Sequence, residues 1–237
     1  MHVIGVIPAR YASKRFPGKP LAKILGKTML QRVYERAKKA KLLNEIIIAT
    51  DSKEIKNEAE KFGAKVRLTG KCDSGTDRIR SVVRGIKCNV VVNIQGDEPL
   101  IEPNLIDKLA GQFSDAKVEV ATAATNISEK EFRSKNIVKV VTDKNSNALY
   151  FSRSPIPAGA RHLAKKHIGI YAYRKSALLK SENFKSKLAE AEDLEQLKFL
   201  ENGVKIKVIQ VKYSGAAVDT PSDIKKVTRL LLRKSAP

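Results

Sequence analysis

The sequence contains few aromatic residues and no tryptophan. Aromatic residues make up 5% of its 237 residues, whereas hydrophobic residues make up 42%. A core of this composition must be built mainly from Val, Ile, Leu and Ala, and we expect it to lack aromatic clusters. Strands rich in such aliphatic residues are typical of parallel sheets, which are buried on both faces.

Cysteines and long apolar runs are scarce as well. Cys72 and Cys88 are the two cysteines, and their spacing matches neither a CxxC redox pair nor half of a zinc site, so we expect free thiols. The apolar segment at residues 2–7 is too short for a secretory signal peptide. No run approaches the roughly 18 apolar residues of a membrane-spanning helix. The sequence therefore predicts a cytoplasmic protein without membrane insertion.

Acidic residues are few relative to basic ones. The chain has 46 Lys and Arg against 25 Asp and Glu, which gives a formal net charge of +21. Such an excess is typical of proteins that bind nucleic acids or anionic membranes. The basic residues are nevertheless spread along the chain, without a long basic block interleaved with aromatics. We expect no specific nucleic-acid partner, and a basic nucleic-acid-binding protein is the non-enzyme alternative.

Runs of Val and Ile alternate with amphipathic segments in the first half of the chain. The predicted strands are Val3–Ile7, Ile46–Thr50, Val66–Leu68, Val90–Ile94 and Val118–Ala123. Helices are predicted around Leu30–Ala37, from Ser52 to Phe62, after Pro103 and from Pro221, the last with a capping box of Thr220 and Asp223. This alternation predicts an α/β fold with a mostly parallel central sheet flanked by helices.

The rhythm changes beyond residue 125. Strands are predicted at 137–141, 148–152, 167–173 and 205–211, with less helix between them. We interpret this part as a smaller mixed-sheet insertion. The chain length is compatible with one domain, 1–237, in which the insertion is a subregion at approximately 125–200.

A loop rich in cations follows the first predicted strand. Arg10, Lys14, Arg15 and Lys19 lie between Pro8 and Pro20. Ligands bind at the carboxyl ends of strands in open α/β sheets, and Arg and Lys there suit a triphosphate. An ordinary basic surface loop is the alternative. A Walker A motif is excluded because Leu21 stands where that motif needs Gly, and no GxGxxG follows a strand.

Two carboxylates lie next to predicted elements, where Mg²⁺ could bind beside a nucleotide. Asp97 follows the strand at 90–94, and Asp219 lies just before the final helix. Mg²⁺ prefers a few hard oxygen ligands completed by phosphate and water. Taken alone, however, Gly96-Asp97 also fits a plain turn, and Ser74–Arg78 fits the start of a helix. Taken alone, His167 also fits a structural role, and the polar groups of 192–196 fit the solvated face of one helix.

Eight segments, in their order along nearly the whole chain, resemble the family of 3-deoxy-manno-octulosonate cytidylyltransferases, the CMP-KDO synthetases. The segments are IPARYASKRFPGKPL (7–21), IIIATD (46–51), SGTDR (74–78), VNIQGDEPLI (92–101), KVVTDKNSNALYFSRSPIP (139–157), HIGIYAYR (167–174), LEQLKFLENG (194–203) and VDTPSD (218–223). The resemblance implies a Rossmann-like nucleotidyltransferase fold and a homodimer. It also implies that CTP and KDO are converted to CMP-KDO and pyrophosphate, for lipopolysaccharide or capsule biosynthesis.

The resemblance also implies roles for individual residues. The implied nucleotide-binding residues are Pro8, Ala9, Arg10, Ser13, Arg15, Lys19, Ser74, Gly75 and Arg78. The implied sugar-acid residues are Gln95, Arg153, His167, Tyr171, Glu195 and Gln196. Asp97 and Asp219 are the implied Mg²⁺ ligands, and with Lys19 they form the implied catalytic set. Segments 158–166 and 190–191, with Ala217, depart from the family pattern, so a modified octulosonate such as 8-amino-KDO, or another sugar acid, is the alternative substrate.

Overall fold

The computed structural model describes residues 1–12 and 16–235. The strands are β1 (Val3–Ala9), β2 (Lys23–Ile24), β3 (Lys27–Thr28), β4 (Glu45–Thr50), β5 (Lys65–Leu68), β6 (Val90–Asn93), β7 (Val120–Thr125), β8 (Lys139–Thr142), β9 (Ala148–Ser152), β10 (Lys165–Arg174) and β11 (Ile206–Gln210). The helices are α1 (Met29–Ala37), α2 (Lys53–Lys61), α3 (Gly75–Val83), α4 (Pro103–Gly111), α5 (Glu129–Arg133), α6 (Lys175–Lys180), α7 (Lys187–Glu192), α8 (Leu197–Glu201) and α9 (Pro221–Ser235). The α/β prediction is confirmed.

The chain forms two compact units. The first contains residues 1–110 together with the segment that begins at Ser214, and the second is Gly111–Tyr213. The subregion expected at approximately 125–200 falls within the second unit. In the part of the chain that the structure describes, no helix is both long and apolar enough to cross a membrane.

The sheet of the first unit is parallel, in the order β6–β1–β4–β5. Strand β1 lies inside this sheet, and its residues Ile4, Val6 and Ile7 are fully buried. Because the strands run in the same direction, the loops that follow them meet at one edge of the sheet. This is the edge at which the sequence predicts a ligand.

Helix α1 shows how closely the hydrophobic pattern predicts an element. The Oγ1 of Thr28 accepts a hydrogen bond of 3.1 Å from the N–H of Gln31 and caps the helix. Leu30, Val33 and Ala37 are fully buried on the face that the i, i+3, i+7 spacing predicts. A cap of this kind contributes about 1 kcal/mol to helix stability.

The capping box predicted for α9 is only half formed. The carboxylate of Asp223 accepts a hydrogen bond of 2.9 Å from the N–H of Thr220, as expected. The hydroxyl of Thr220 donates 2.8 Å to the same carboxylate, although a capping box would need it to accept from the backbone. Asp223 also accepts 3.1 Å from the N–H of Asp219, so its side chain organises the turn before α9.

The sheet of the second unit is mixed, as predicted. Strand β11 pairs with β7 in parallel, whereas the pairs β7–β10, β10–β8 and β8–β9 are antiparallel. The expected absence of aromatic clusters is wrong here, because a continuous row of rings runs through the unit. Its members are Phe151, His167, Tyr171, Tyr173, Phe199 and Phe184, with neighbouring centroids 5.1 to 5.8 Å apart. Composition averages over the chain and hides this local concentration.

Candidate active site

A backbone hydrogen bond joins two described residues of the segment after β1 just before Lys19. Gly18 has a φ of 67°, a left-handed conformation that Gly adopts without strain. Its N–H donates 3.0 Å to the carbonyl of Tyr11. A 3-10 turn follows at Lys19–Leu21. The predicted nucleotide-binding residues Ser13 and Arg15 of this loop lie outside the described residues.

The loop after β6 lies directly against the end of β1. A Cβ added to Gly96 would lie 2.9 Å from the carbonyl oxygen of Pro8, which is closer than real Cβ contacts. Any side chain at this position would therefore push the loop away from β1. This role of Gly96 is not evident from the sequence, because nothing in the local pattern indicates which backbone lies opposite.

Asp97 and Asp219 are brought together by the backbone. The N–H of Val218 donates 2.9 Å to the carbonyl of Asp97, so the segment before α9 follows the loop after β6. Val218 is fully buried in a small core with Ile24 and Met29. The two carboxylates predicted to share a site are thus neighbours, although more than half of the chain separates them in sequence.

The ammonium of Lys19 lies between these carboxylates. Its Nζ is 2.6 Å from Oδ2 of Asp97 and 3.7 Å from Oδ1 of Asp219. It also donates 3.0 Å to the carbonyl of Val218. The side chain of Lys19 is 17% exposed, that of Asp97 26% and that of Asp219 47%, so all three reach solvent. One positive and two negative charges leave this group with a formal charge of −1.

The donor set fits a magnesium ion that is shared with a substrate. Among the described residues no three His, Cys, Asp or Glu side chains converge as a complete protein cage would require. Mg²⁺ typically binds one or two carboxylates and completes its octahedron with phosphate oxygens and water. Asp97 and Asp219 supply two such carboxylates beside a cation-bearing loop.

A cleft of about 980 Å³ opens at this edge of the first sheet. It is lined by the predicted residues Pro8, Ala9, Arg10, Lys19, Ser74, Gly75, Arg78, Gln95, Asp97 and Asp219. It is also lined by Ala12, Pro17, Pro20, Cys72 and Gly96, which the sequence analysis did not select. This volume is at the upper end of typical ligand pockets, which hold roughly 300 to 1,000 Å³. The structure therefore collects the described nucleotide-site candidates in one cleft.

Arg78 is held in place by protein groups. Its guanidinium is 2.5 Å from the carboxylate of Asp51 and donates to the hydroxyl of Thr69. Its side chain is 4% exposed. Arg78 thereby ties α3 to the residues that follow β4 and β5. Ser74 caps the same helix, with its Oγ accepting 3.1 Å from the N–H of Asp77.

Three of the predicted sugar-acid residues contribute buried polar groups to the second unit. Nε2 of His167 lies 3.0 Å from Oγ1 of Thr122, and burial lowers the pKa of His167 to about 3, so its ring is neutral at pH 7. Oη of Tyr171 and Nε2 of Gln196 are buried and have no hydrogen-bond partner within the described residues. Native proteins satisfy most buried polar atoms, so such exceptions are candidates for ligand contacts.

Arg153 is anchored to the end of α7. Its Nε donates 3.2 Å to the carbonyl of Glu192, and its Nη2 donates 3.3 Å to the carbonyl of Asp193. The prediction that residues 192–196 lie on one helix is wrong. Helix α7 ends at Glu192, Asp193 has a φ of 53°, and α8 begins only at Leu197.

The other two sugar-acid candidates differ in their surroundings. Glu195 is exposed. Burial raises the pKa of Tyr171 well above its usual value, with smaller contributions from Tyr173 and from the charge of Glu195. Gln95 belongs to the first unit, where it lines the cleft and its Nε2 donates 3.4 Å to Oδ1 of Asn93. The six candidates are therefore contributed by both units.

Comparison with known proteins gives consistent results. A family model described as cytidylyltransferase matches residues 4–206. A 3-deoxy-manno-octulosonate cytidylyltransferase from Bdellovibrio bacteriovorus is 47% identical over 242 residues, which cover 98% of each chain. The enzyme of the same name from Geobacter metallireducens is 45% identical over 251 residues, covering 98% of this chain and 99% of the relative.

Solved structures agree with the sequence matches. A CMP:2-keto-3-deoxy-manno-octonic acid synthetase complexed with CTP superposes with a TM-score of 0.94 at 40% identity, covering 99% of this chain and 100% of that chain. A 4-diphosphocytidyl-2C-methyl-D-erythritol synthase from Anaerococcus prevotii, 18% identical, has a TM-score of 0.68 over 98% of this chain and 96% of its own. At that identity the second likeness concerns the fold alone. The nucleotidyltransferase-like α/β fold is confirmed.

Proposed function

Because the chain belongs to the cytidylyltransferase family, we propose that it transfers CMP from CTP to 3-deoxy-manno-octulosonate and releases pyrophosphate. Two full-length relatives carry the name of this activity, and a solved relative of the same fold binds CTP. The observation in this chain that carries the proposal is the contact of Lys19 with both Asp97 and Asp219, at the edge of a cleft large enough for a nucleotide.

The reaction needs positioning and charge neutralisation rather than a covalent protein intermediate. The anomeric hydroxyl oxygen of the sugar acid forms a bond to the α-phosphorus of CTP, while the bond from that phosphorus to pyrophosphate breaks. The hydroxyl proton passes to solvent. We assign Arg10 and Lys19, which line the cleft, to binding the triphosphate oxygens and to stabilising negative charge on the leaving pyrophosphate.

We further propose that Asp97 and Asp219 hold Mg²⁺, on the donor chemistry described above. Such an ion would neutralise phosphate charge and lower the pKa of a coordinated hydroxyl. Asp97 and Asp219 would hold it in place of the ammonium of Lys19, which would then be available to the triphosphate oxygens.

We assign the sugar acid to the polar groups of the second unit. Oη of Tyr171 and Nε2 of Gln196 lack partners within the described residues, and a ligand rich in hydroxyls would satisfy both atoms. Neutral His167 offers its ring as a hydrogen-bonding surface rather than as a charge. These features favour a polyhydroxylated acid, and 8-amino-KDO or another sugar acid is an alternative outcome of the test.

A panel of acids tests the function. Purified protein is incubated with CTP, Mg²⁺ and one sugar acid at a time, and pyrophosphate release is measured. We expect turnover with 3-deoxy-manno-octulosonate. Faster turnover with 8-amino-KDO or a nonulosonic acid would reassign the substrate. If no acid in the panel supports pyrophosphate release, the enzyme assignment itself is wrong.

Asp97→Asn and Asp219→Asn test the metal assignment. Each variant loses one carboxylate charge at the proposed metal, so we expect kcat to fall by at least about 100-fold. Circular dichroism should show unchanged folding. Asp115→Asn removes an exposed carboxylate of the second unit and should leave kcat within about twofold. If Asp97→Asn and Asp219→Asn both keep full activity, neither carboxylate takes part in the reaction.

We also propose a homodimer that acts in the cytoplasm in lipopolysaccharide or capsule biosynthesis. The second unit exposes large apolar side chains, including Leu149 at 62% and Leu163 at 59%. Apolar side chains exposed in this way are candidates for a subunit interface. Sedimentation equilibrium measures the subunit number directly, and a monomer at micromolar concentration would contradict the dimer.

A further inference from the structure

Lys139 is a buried ammonium that the reaction described above does not use. It is the first residue of β8, and its exposure is 0%. Burying a charge is costly unless hydrogen bonds compensate for the lost water. A chain that needed only to fill space at this position would be better served by an aliphatic residue. The ammonium therefore calls for an explanation in terms of what it binds.

Three backbone carbonyls surround this ammonium. Nζ of Lys139 donates 2.9 Å to the carbonyl of Ser134 and 2.7 Å to that of Ile137, and it also donates to the carbonyl of Arg153. Burial lowers the pKa of Lys139, and the carboxylate of Glu192 acts in the opposite direction. The ammonium thus connects the segment before β8 to the residue that follows β9.

The carboxylate of Glu192 binds the backbone N–H of Arg153, the residue whose carbonyl accepts from Lys139. Oε2 of Glu192 accepts 3.0 Å from the N–H of Arg153, and its Oε1 accepts 2.7 Å from the hydroxyl of Ser152. Both backbone polar groups of Arg153 are therefore bound by side chains of opposite charge. The carbonyls at the end of α7 hold its guanidinium as well, so Arg153 is fixed from three directions.

The fixed guanidinium keeps donors for a ligand. Within residues 1–12 and 16–235 the bonds of this guanidinium are made by Nε and Nη2, the latter also 3.5 Å from the exposed carboxylate of Asp193. Nη1 is left for a ligand, and the side chain is 39% exposed. Arg153 directly follows β9, and its guanidinium is bonded to the carbonyls of Glu192 and Asp193, a few residues before the sugar-acid candidates Glu195 and Gln196.

We propose that Lys139 and Glu192 are positioning residues that fix Arg153 to receive the carboxylate of the sugar-acid substrate. This inference rests on the proposed function. A planar, bidentate pair of guanidinium and carboxylate requires an orientation that a mobile arginine holds only part of the time. We call this arrangement of Lys139 and Glu192 around Arg153 the clamp.

Glu192→Leu and Lys139→Met test the clamp by steady-state kinetics and by CTP binding. We expect the KM for the sugar acid to rise by about tenfold or more in each variant, because the guanidinium is no longer held. The dissociation constant for CTP should stay within about twofold, since CTP is assigned to the first unit. Glu192→Gln keeps one acceptor oxygen and should give an intermediate KM. Lys180→Met, which removes an exposed lysine of the same unit, is the matched control.

A second measurement does not depend on turnover. The Nε–H signal of Arg153 in nitrogen-15 spectra is identified by its loss in Arg153→Lys. We expect this Nε–H to exchange with water faster in Glu192→Leu than in the wild type. If the wild type converts no sugar acid, the proposed function fails while this exchange measurement still decides the clamp.

The outcomes separate a positioning role from a structural one. An unchanged KM for the sugar acid in folded Glu192→Leu overturns the proposal, as does unchanged Nε–H exchange. A parallel loss of CTP affinity would show a general structural role and would also overturn it. If Lys139→Met does not fold, the two Glu192 variants decide, because Glu192 is only partly buried.

Discussion

The ammonium of Lys19 lies where it competes with a metal for the same two carboxylates. Its Nζ is 2.6 Å from Asp97 and 3.7 Å from Asp219. A cation that binds both carboxylates must displace this ammonium. Displacement becomes easier when a triphosphate offers the ammonium another anion, so nucleotide and metal are expected to bind cooperatively.

Replacing Lys19 by Met should strengthen metal binding in the absence of nucleotide. Two neighbouring carboxylates without a counter-ion repel each other, and a divalent cation relieves that repulsion. We expect Lys19→Met to bind Mn²⁺ about tenfold more tightly than the wild type, which corresponds to roughly 1.4 kcal/mol. Electron paramagnetic resonance of free Mn²⁺ measures this affinity without any catalysis.

A second lysine provides the control for that measurement. Lys23 is exposed in the same unit, and Lys23→Met should leave the Mn²⁺ affinity unchanged while it removes the same net charge. Adding CTP should narrow the difference in Mn²⁺ affinity between Lys19→Met and the wild type. Weaker Mn²⁺ binding in Lys19→Met than in the wild type would show that the ammonium does not compete with the metal.

At the scale of elements, the start of α9 determines where Asp219 lies. The carboxylate of Asp223 accepts hydrogen bonds from the N–H groups of Asp219 and Thr220, at 3.1 Å and 2.9 Å. The backbone of Val218 is tied to Asp97. One side chain in the first turn of α9 therefore positions a proposed metal ligand four residues earlier.

Asp223→Ala should weaken both the helix start and the metal site. Loss of such a cap costs about 1 kcal/mol, within a range of roughly 0.5 to 2 kcal/mol, and Asp219 loses the bond that fixes its backbone. We expect a lower thermal midpoint and weaker Mn²⁺ binding in the presence of CTP. Asp223→Asn keeps one acceptor oxygen and should retain most of both properties. If Asp223→Ala binds Mn²⁺ as tightly as the wild type, the cap does not position Asp219.

Elements were predictable where their signals are local. The alternation of apolar runs predicts β1, β4 and β6 nearly to the residue, and the spacing of Leu30, Val33 and Ala37 predicts the buried face of α1. The break between α7 and α8 was missed, because Asp193 adopts a left-handed conformation that a polar helical pattern does not reveal.

The site was predictable only in part, for a related reason. Strand order and the resemblance together select Lys19, Asp97 and Asp219 from the sequence. They do not reveal that Lys19 bonds to both carboxylates, because that contact depends on the packing of a segment about 200 residues away. Gly96 and Lys139 escaped notice for the same reason, since their roles depend on the backbone that lies opposite.

At the scale of the whole molecule, the net charge of +21 is the feature that favours the alternative function, nucleic-acid binding. A basic surface attracts any polyanion, but it does not distinguish nucleotide sequences. Its affinity falls as the salt concentration rises, because the release of counter-ions then gains less entropy. The described cations among the nucleotide-site candidates, Arg10, Lys19 and Arg78, line one cleft, whereas most lysines are spread along the chain. The charge is therefore expected to give weak and unspecific binding.

Binding of labelled RNA and DNA oligonucleotides, followed by fluorescence anisotropy, tests this expectation. At physiological salt we expect dissociation constants of about 1 µM or weaker, the range of non-specific binding, with a steep loss of affinity between roughly 50 and 200 mM salt. CTP with Mg²⁺ should not displace the oligonucleotide, because CTP is assigned to the cleft and the oligonucleotide to the general surface. Tight binding that survives 200 mM salt, or competition by CTP, would instead make nucleic acid a ligand of the site.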